Sequence, residues 1–224
     1  MKNTSAKMIA VLTGTAFTVG AILAGFYIVA APKIEANRLA EEKRAIFAVL
    51  PGAVDYETIE REITGDKGPE KLLIFRGLDG DGGTSGYAFV AKGPGFAAII
   101  TMMVGLNVSA ETLSGMKVLE QLETPGLGNK IAEEKFEGQF RGLAIHPRIE
   151  YLKNKKPDKP NQIQAITGAT ISSKAVTEAI NKRLAVVLAI LEDELLEEEV
   201  IEEEPLTGEV PEEKMEEKTG EVAE

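Results

Sequence analysis

From Met8 to Ala31 the chain reads MIAVLTGTAFTVGAILAGFYIVAA, 24 residues without one charged side chain. About 20 apolar residues are enough for a helix to cross the hydrocarbon core of a bilayer, so this run predicts one transmembrane helix. It is longer than the ~7–15 apolar residues of a cleavable leader. Pro32 also directly follows Val29-Ala30-Ala31, and proline after the scissile bond disfavours cutting, so the segment reads as an uncleaved anchor. Ala16, Gly20 and Ala24 form a stripe of small residues on one helix face. Such stripes let membrane helices approach closely, although Ala and Gly are common in membrane helices generally. Lys2 and Lys7 precede the span while Lys33, Arg38, Lys43 and Arg44 follow it, so charge alone does not orient it.

Beyond the span the pattern changes three times. PKIEANRLAEEKRAIFAVL, residues 32–50, reads as a helix leaving the membrane, stopped by Pro51-Gly52. From Ala53 to about Ile166, short strand-like runs (KLLIF, GYAFVAK, AAIITMMVGL, MKVLEQL) alternate with glycine-rich turns such as GLDGDGGTSG and KGPG. NKIAEEKFEGQF looks like a short helix with Ile131 and Phe136 on its apolar side. AIHPRIEYL and NQIQAI are candidate strands around the basic turn KNKKPDKP. From Ile171 to about Glu199, Val176, Ile180, Leu184, Val187, Leu191 and Leu195 recur at helical spacing. Without a regular strand–helix–strand rhythm, the mixture predicts an α+β domain. The expected organisation is an anchor over 1–31, a helical linker over 32–52, one α+β domain over 53–199 and a disordered acidic tail over 200–224.

Composition sharpens this picture by exclusion. The formal charge of −11 is uneven: residues 192–224 carry −14 and the other 191 residues +3. The acidity therefore belongs to the tail and says nothing about the domain. No basic stripe interleaved with aromatics appears, which argues against nucleic-acid binding. The chain has no Cys and a single His, His146. Thiolate metal sites, iron–sulfur clusters and paired-His sites are excluded, and His146 reads as structural or merely exposed. Any redox chemistry needs an organic cofactor held without sulfur.

Candidate chemistry concentrates in two segments. TGATISS, Thr167–Ser173, stands where the last helical pattern begins. The first N–H groups of a helix lack internal partners and, with the helix dipole, attract anions such as phosphate. Gly168 and Ala169 leave room for close approach, and Thr167, Ser172 and Ser173 add hydroxyls. Taken alone, this is more often a helix cap than a ligand site. The second segment, ETPGLG, Glu123–Gly128, reads as a tight turn exposing backbone N–H groups beside a carboxylate and a hydroxyl.

Together, and in this order after an N-terminal anchor, TGATISS and ETPGLG resemble the two hallmark segments of the FMN-binding domain family. That family includes RnfG, of the Rnf complex, and NqrC, of the sodium-pumping NADH:quinone reductase; the short chain resembles RnfG more. The resemblance covers roughly residues 8–190. It implies that Thr170 is esterified through its hydroxyl to the phosphate of FMN. Thr167, Gly168, Ala169, Ile171 and Ser172 would form the phosphate cradle, and Glu123, Thr124, Leu127 and Gly128 would contact the flavin or its ribityl chain. Two departures stand out: Gln164 occupies a place where the family often has Asp, and AKGPGFAAII is a loose version of the expected Gly/aromatic-rich stretch.

The function implied is that of an electron carrier within a larger assembly, with no catalytic residues and no metal of its own. It would serve a membrane-bound complex coupling ferredoxin and NAD to ion transport. Expected partners are the other membrane subunits and a separate flavin transferase. The expected location is the plasma membrane, with one span and the domain on the extracytoplasmic side. Two alternatives stay open: a free-standing flavinylated electron-transfer protein or NqrC-like chain, and a non-redox membrane-anchored scaffold whose TGAT is only a cap.

Overall fold

The computed structural model describes residues 2–65 and 68–203. Helix α1 runs unbroken from Lys2 to Val49, 48 residues with Pro32 inside it. At 1.5 Å per residue it is about 72 Å long. The anchor and the expected linker helix are therefore one element. Proline removes one N–H and its ring crowds the carbonyl four residues back, yet the helix continues through Pro32. The large apolar side chains from Met8 to Val29 are all more than half exposed, and nothing among the described residues covers them. A helix apolar all round with no protein partner is built for lipid. It is the one described helix long and apolar enough to cross a membrane. Two of its hydroxyls are satisfied within the helix: Thr15 Oγ1 donates to the Leu12 carbonyl at 2.9 Å and Thr18 Oγ1 to that of Gly14 at 2.8 Å.

The chain divides into two compact units, Met1–Val187 and Leu188–Glu224. The first contains an antiparallel sheet of six strands in sequence order: β1 (Asp55–Gly65), β2 (Gly68–Leu78), β3 (Thr84–Pro94), β4 (Ile99–Leu106), β5 (Thr112–Glu120) and β6 (Leu143–Ala144). β7 (Glu150–Leu152) and β8 (Gln162–Gln164) form a separate parallel pair. Helix α3 extends from Thr170 to Glu203, past the boundary expected at 199. From residue 204 the acidic tail lies outside the described residues.

Side chains of a strand alternate between faces, and both faces of this sheet are covered. On one face, Ala45, Ile46, Val49 and Leu50 at the end of α1 pack with Phe75, Ala88 and Met103. On the other lie Phe89, Ala91 and Gly93. There α3 comes so close that a Cβ on Gly93 would stand 2.6 Å from the Ala179 Cβ. β4 sits between both layers, and only its first residue, Ile99, is exposed. That double burial explains why IITMMVGL is an almost continuous apolar run instead of an alternating one.

Two expectations need correction. β1, DYETIEREITG, carries no strand-like apolar run, because it is a largely exposed edge strand paired only to β2. NKIAEEKFEGQF is not one helix. It folds as a 3₁₀ turn over Gly128–Ala132, a single α-turn, α2 (Glu134–Glu137), and another 3₁₀ turn over Gly138–Phe140. Glu133, extended at φ −85° and ψ 144°, interrupts the helical run, and the buried Glu137 carboxylate accepts from the Val118 N–H at 2.9 Å and from Lys117 at 2.8 Å. His146 is exposed.

The root of α1 in the sheet predicts a sharp contrast. Ile46→Ala, at a fully buried position, should cost about 2–5 kcal/mol. Leu39→Ala, further up the exposed part of the same helix, should cost under about 0.5 kcal/mol. Urea unfolding of the full chain in detergent, followed by circular dichroism, compares them; equal losses would mean that the helix is not seated in the core.

Candidate functional site

The start of α3 is set by a turn. The Ala169 N–H donates to the Ile166 carbonyl at 3.0 Å, and Gly168 in the third position has φ +85°. This is a type II turn, whose third position disfavours any residue with a Cβ. The Ala169 carbonyl then accepts from the Ser173 N–H at 3.1 Å, the first bond of the helix. Ala169 is thus the cap residue, and Thr170 lies one position inside the helix.

Ser173 supplies the hydroxyl that ties this turn down. Its Oγ accepts from the Ile166 N–H at 3.0 Å and donates to the Ala169 carbonyl at 3.0 Å. Thr170 is left over. Its half-buried side chain makes no hydrogen bond among the described residues, and the N–H groups of Thr170, Ile171 and Ser172 find no acceptor. Three free amides at the positive end of a long helix, beside an unengaged hydroxyl, suit a phosphate.

ETPGLG makes a second turn of the same type. The Leu127 N–H donates to the Thr124 carbonyl at 3.2 Å, Pro125 takes the second position, and Gly126 has φ +76°. The two turns touch: a Cβ on Gly168 would lie 3.2 Å from Leu127 Cδ2.

Beneath them lies Glu123, 4% exposed. One carboxylate oxygen accepts from the Ser172 hydroxyl in the first turn of α3. The other accepts from the Ala97 N–H at 2.9 Å, in the tip of the β3–β4 hairpin. Burial pushes the Glu123 carboxyl up, but Ser172 and the amides of Ala97, Ala98 and Phe96 hold it below the usual glutamate range. Gly128 closes the packing: a Cβ there would come within 2.8 Å of Glu123 and 2.9 Å of Ser172 Oγ.

The ten residues expected at the site therefore converge in two layers. Thr124, Leu127, Thr167, Gly168 and Ile171 are exposed around the half-buried Thr170, whereas Glu123, Gly128, Ala169 and Ser172 are buried. Sequence reasoning missed the hairpin tip Phe96–Ala98 and the part played by Ser173. It also missed Asn129, whose buried Oδ1 has no hydrogen-bond partner. The GPGF turn before Ala97 was the available signal for the first. Phe96, in the hairpin tip, and Leu122, next to Glu123 in sequence, are exposed. Two grooves of about 240 and 560 Å³ elsewhere on this unit are lined by none of the motif residues, so concavity and chemistry point to different places. The chemistry is the better guide, because a phosphate needs donors more than it needs an enclosed volume.

Glu123 makes acid stability testable. Its folded pKa lies below its unfolded one, so its contribution is complete above the ordinary glutamate range and is lost as pH falls through the folded value. Urea midpoints should drop as pH is lowered from about 5 towards 3. E123Q should drop less steeply over the same window; parallel curves would count against a depressed Glu123.

Comparison with known proteins agrees with this geometry. The FMN-binding domain family matches residues 95–185, a span holding the hairpin tip, both turns and the first half of α3. The G subunit of an ion-translocating oxidoreductase complex of Methanosarcina acetivorans is 30% identical, over 82% of this chain and 94% of its own. The G subunit of the Na(+)-translocating ferredoxin:NAD(+) oxidoreductase complex of Acetobacterium woodii is 34% identical over 68% of this chain and 74% of its own. The proton-translocating counterpart of Clostridium ljungdahlii is 28% identical over 76% and 85%. The C subunit of the Na(+)-translocating NADH-quinone reductase from Parabacteroides distasonis, known from its crystal structure, has the same fold. It superposes with a TM-score of 0.51 at 18% identity, covering 66% of this chain and 90% of that one. The chain belongs to the G-subunit family of ion-translocating oxidoreductase complexes, and its folded unit carries that family's FMN-binding domain.

Proposed function

We propose that this chain holds FMN as a phosphoester on Thr170. In this reading it is the electron-carrying component of a membrane-bound, ion-translocating ferredoxin:NAD oxidoreductase complex. The observation that carries the reading is the unengaged Thr170 hydroxyl beside three unengaged amides, at a helix start whose own hydrogen bonds are made by Ser173. The residues present fit a flavin mononucleotide. The amides of Thr170, Ile171 and Ser172 match a phosphate, Asn129 Oδ1 is a buried acceptor in want of a donor, and Leu127, Ile171 and Phe96 offer apolar surface to a flat ring.

Thr170 Oγ1 forms the new bond to phosphorus and gives up its proton. The donor is a flavin nucleotide whose phosphate sits in an anhydride, and a nucleoside monophosphate leaves. A separate flavin transferase brings that donor and accepts the proton, since Thr170 has no hydrogen-bonded base among the described residues. Bound FMN supplies electron transfer by one or two electrons. The chain's part is to tether, orient and insulate it. The ester removes dissociation as a route of loss and leaves the ring chemically unmodified. The chain acts as a relay that hands electrons between neighbouring cofactors and turns over no substrate alone.

Helix α1 anchors the domain to the plasma membrane by a single span, with the domain on the extracytoplasmic side, and the other subunits of an Rnf-type complex are its partners. The related proteins are named for sodium in one organism and protons in another. The transported ion is accordingly a property of the other subunits.

Coexpressed with a flavin transferase, the wild-type chain should run as a fluorescent band on a denaturing gel, heavier by FMN less one water. Thr170→Ala should lose both signals, and Thr170→Ser should keep a measurable fraction, since it retains the hydroxyl. Unmodified wild-type mass in cells shown to contain active transferase would refute the reading.

A further inference from the structure

We propose that Glu123 acts as a positioning residue for flavin attachment, clasping the β3–β4 hairpin tip and the Thr124–Leu127 turn onto the first turn of α3. This builds on the reading that Thr170 is the acceptor, but gives Glu123 a task other than touching the cofactor. The side chain is 4% exposed, and both its oxygens are engaged inside the protein. Ser172, its partner in α3, is 2% exposed and lies two residues from Thr170.

Three segments distant in sequence meet at this carboxylate. Ala97 in the hairpin gives it an N–H at 2.9 Å, Ser172 in α3 gives it a hydroxyl, and its own backbone leads into the Thr124–Leu127 turn. The Glu123 N–H is itself fixed, donating to the Gln121 side chain at 2.7 Å. Gly128 completes the clasp, because a Cβ at that position would strike both Glu123 and Ser172 Oγ. The Ala97 amide and the Ser172 hydroxyl are both supplied to the carboxylate from within the chain itself. A turn held at both ends presents its neighbouring hydroxyl in one orientation, and misplacement of a reacting atom by about 1 Å can slow a transfer on the order of a hundredfold.

The test uses the full chain in detergent with purified transferase and its flavin nucleotide donor, well below the melting temperature of every variant. E123A should slow the initial rate of attachment on the order of tenfold to a hundredfold. E123Q should stay within about threefold, because its carbonyl can accept from Ala97 and its NH₂ can donate to Ser172 Oγ. The second readout needs no flavin: amide hydrogen exchange at Phe96–Ala98 and Thr124–Asn129 should speed up about tenfold in E123A and little in E123Q. Should E123A fail to fold, S172A carries the test, since it removes one donor and leaves the hairpin contact in place; it must slow attachment as well. Wild-type attachment rates in E123A, or unchanged exchange at Ala97, would overturn the proposal. A wild-type chain that takes up no flavin overturns the Thr170 reading beneath it, whereas normal wild-type uptake beside an equally fast E123A overturns the clasp alone.

Discussion

An ionised carboxylate taken out of water is tolerable only when donors surround it, and that requirement organises the whole region around Thr170. Glu123 meets it by recruiting the hairpin tip at Ala97 and the helix at Ser172, two segments that share no backbone ladder. The positive end of α3 helps in the same sense, since a negative charge near a helix start is favoured. The carboxylate therefore stays ionised although buried, and its hydrogen bonds hold the two type II turns in contact. Ser173 fixes the turn before α3, and the carboxylate links that helix start to the hairpin tip and to the Thr124–Leu127 turn.

The rest of the fold supplies the stiffness on which that clasp depends. α3 lies against one face of the sheet at Gly93 while the end of α1 covers the other with Ala45, Ile46, Val49 and Leu50. Edge-to-face rings of Phe47, Tyr56 and Phe75, with centroids 5.9 and 5.6 Å apart, tie α1 to the first two strands. The Ser114 hydroxyl caps the last carbonyl of α1 at Val49. Between Ala31 and that buried root run about fourteen residues of continuous helix, about 20 Å. A domain seated on such a stem is joined to its apolar segment by continuous helix, unlike one on a flexible tether.

What the sequence revealed follows from which features are local. The span, the apolar run of β4 and the periodicity of α3 depend on neighbours a few residues apart, so pattern alone shows them. TGATISS and ETPGLG were legible as segments because turn chemistry and cap chemistry are local too. β1 was illegible because an exposed edge strand has no apolar signature to display. The division of labour inside the motif was hidden for the opposite reason. Whether Thr170 or Ser173 ties down the turn depends on hydrogen-bond geometry, and both carry the same hydroxyl. Glu123's true partners lie 26 and 49 residues away in sequence. Nothing in ETPGLG announces a link to an alanine amide across the sheet.

The openness of the site then has a physical reason. A relay residue in this reading must be reached twice, first by the transferase that loads it and afterwards by whichever cofactor exchanges electrons with it. A deep pocket would serve binding but obstruct both encounters. A half-buried acceptor, however, gains little rigidity from surrounding walls, and a flexible one would present its hydroxyl in many orientations. Order has to be imposed from below. A buried charge with directional donors does this better than apolar packing, because a hydrogen bond fixes angle as well as distance whereas a methyl group slides. The surface layer is thereby left free to be apolar and accessible, with Leu127 against Gly168 and Ile171 next to Thr170, both exposed. Rigidity from a hidden carboxylate and access at the surface are two halves of one solution, and neither would suffice for a covalently tethered electron carrier alone.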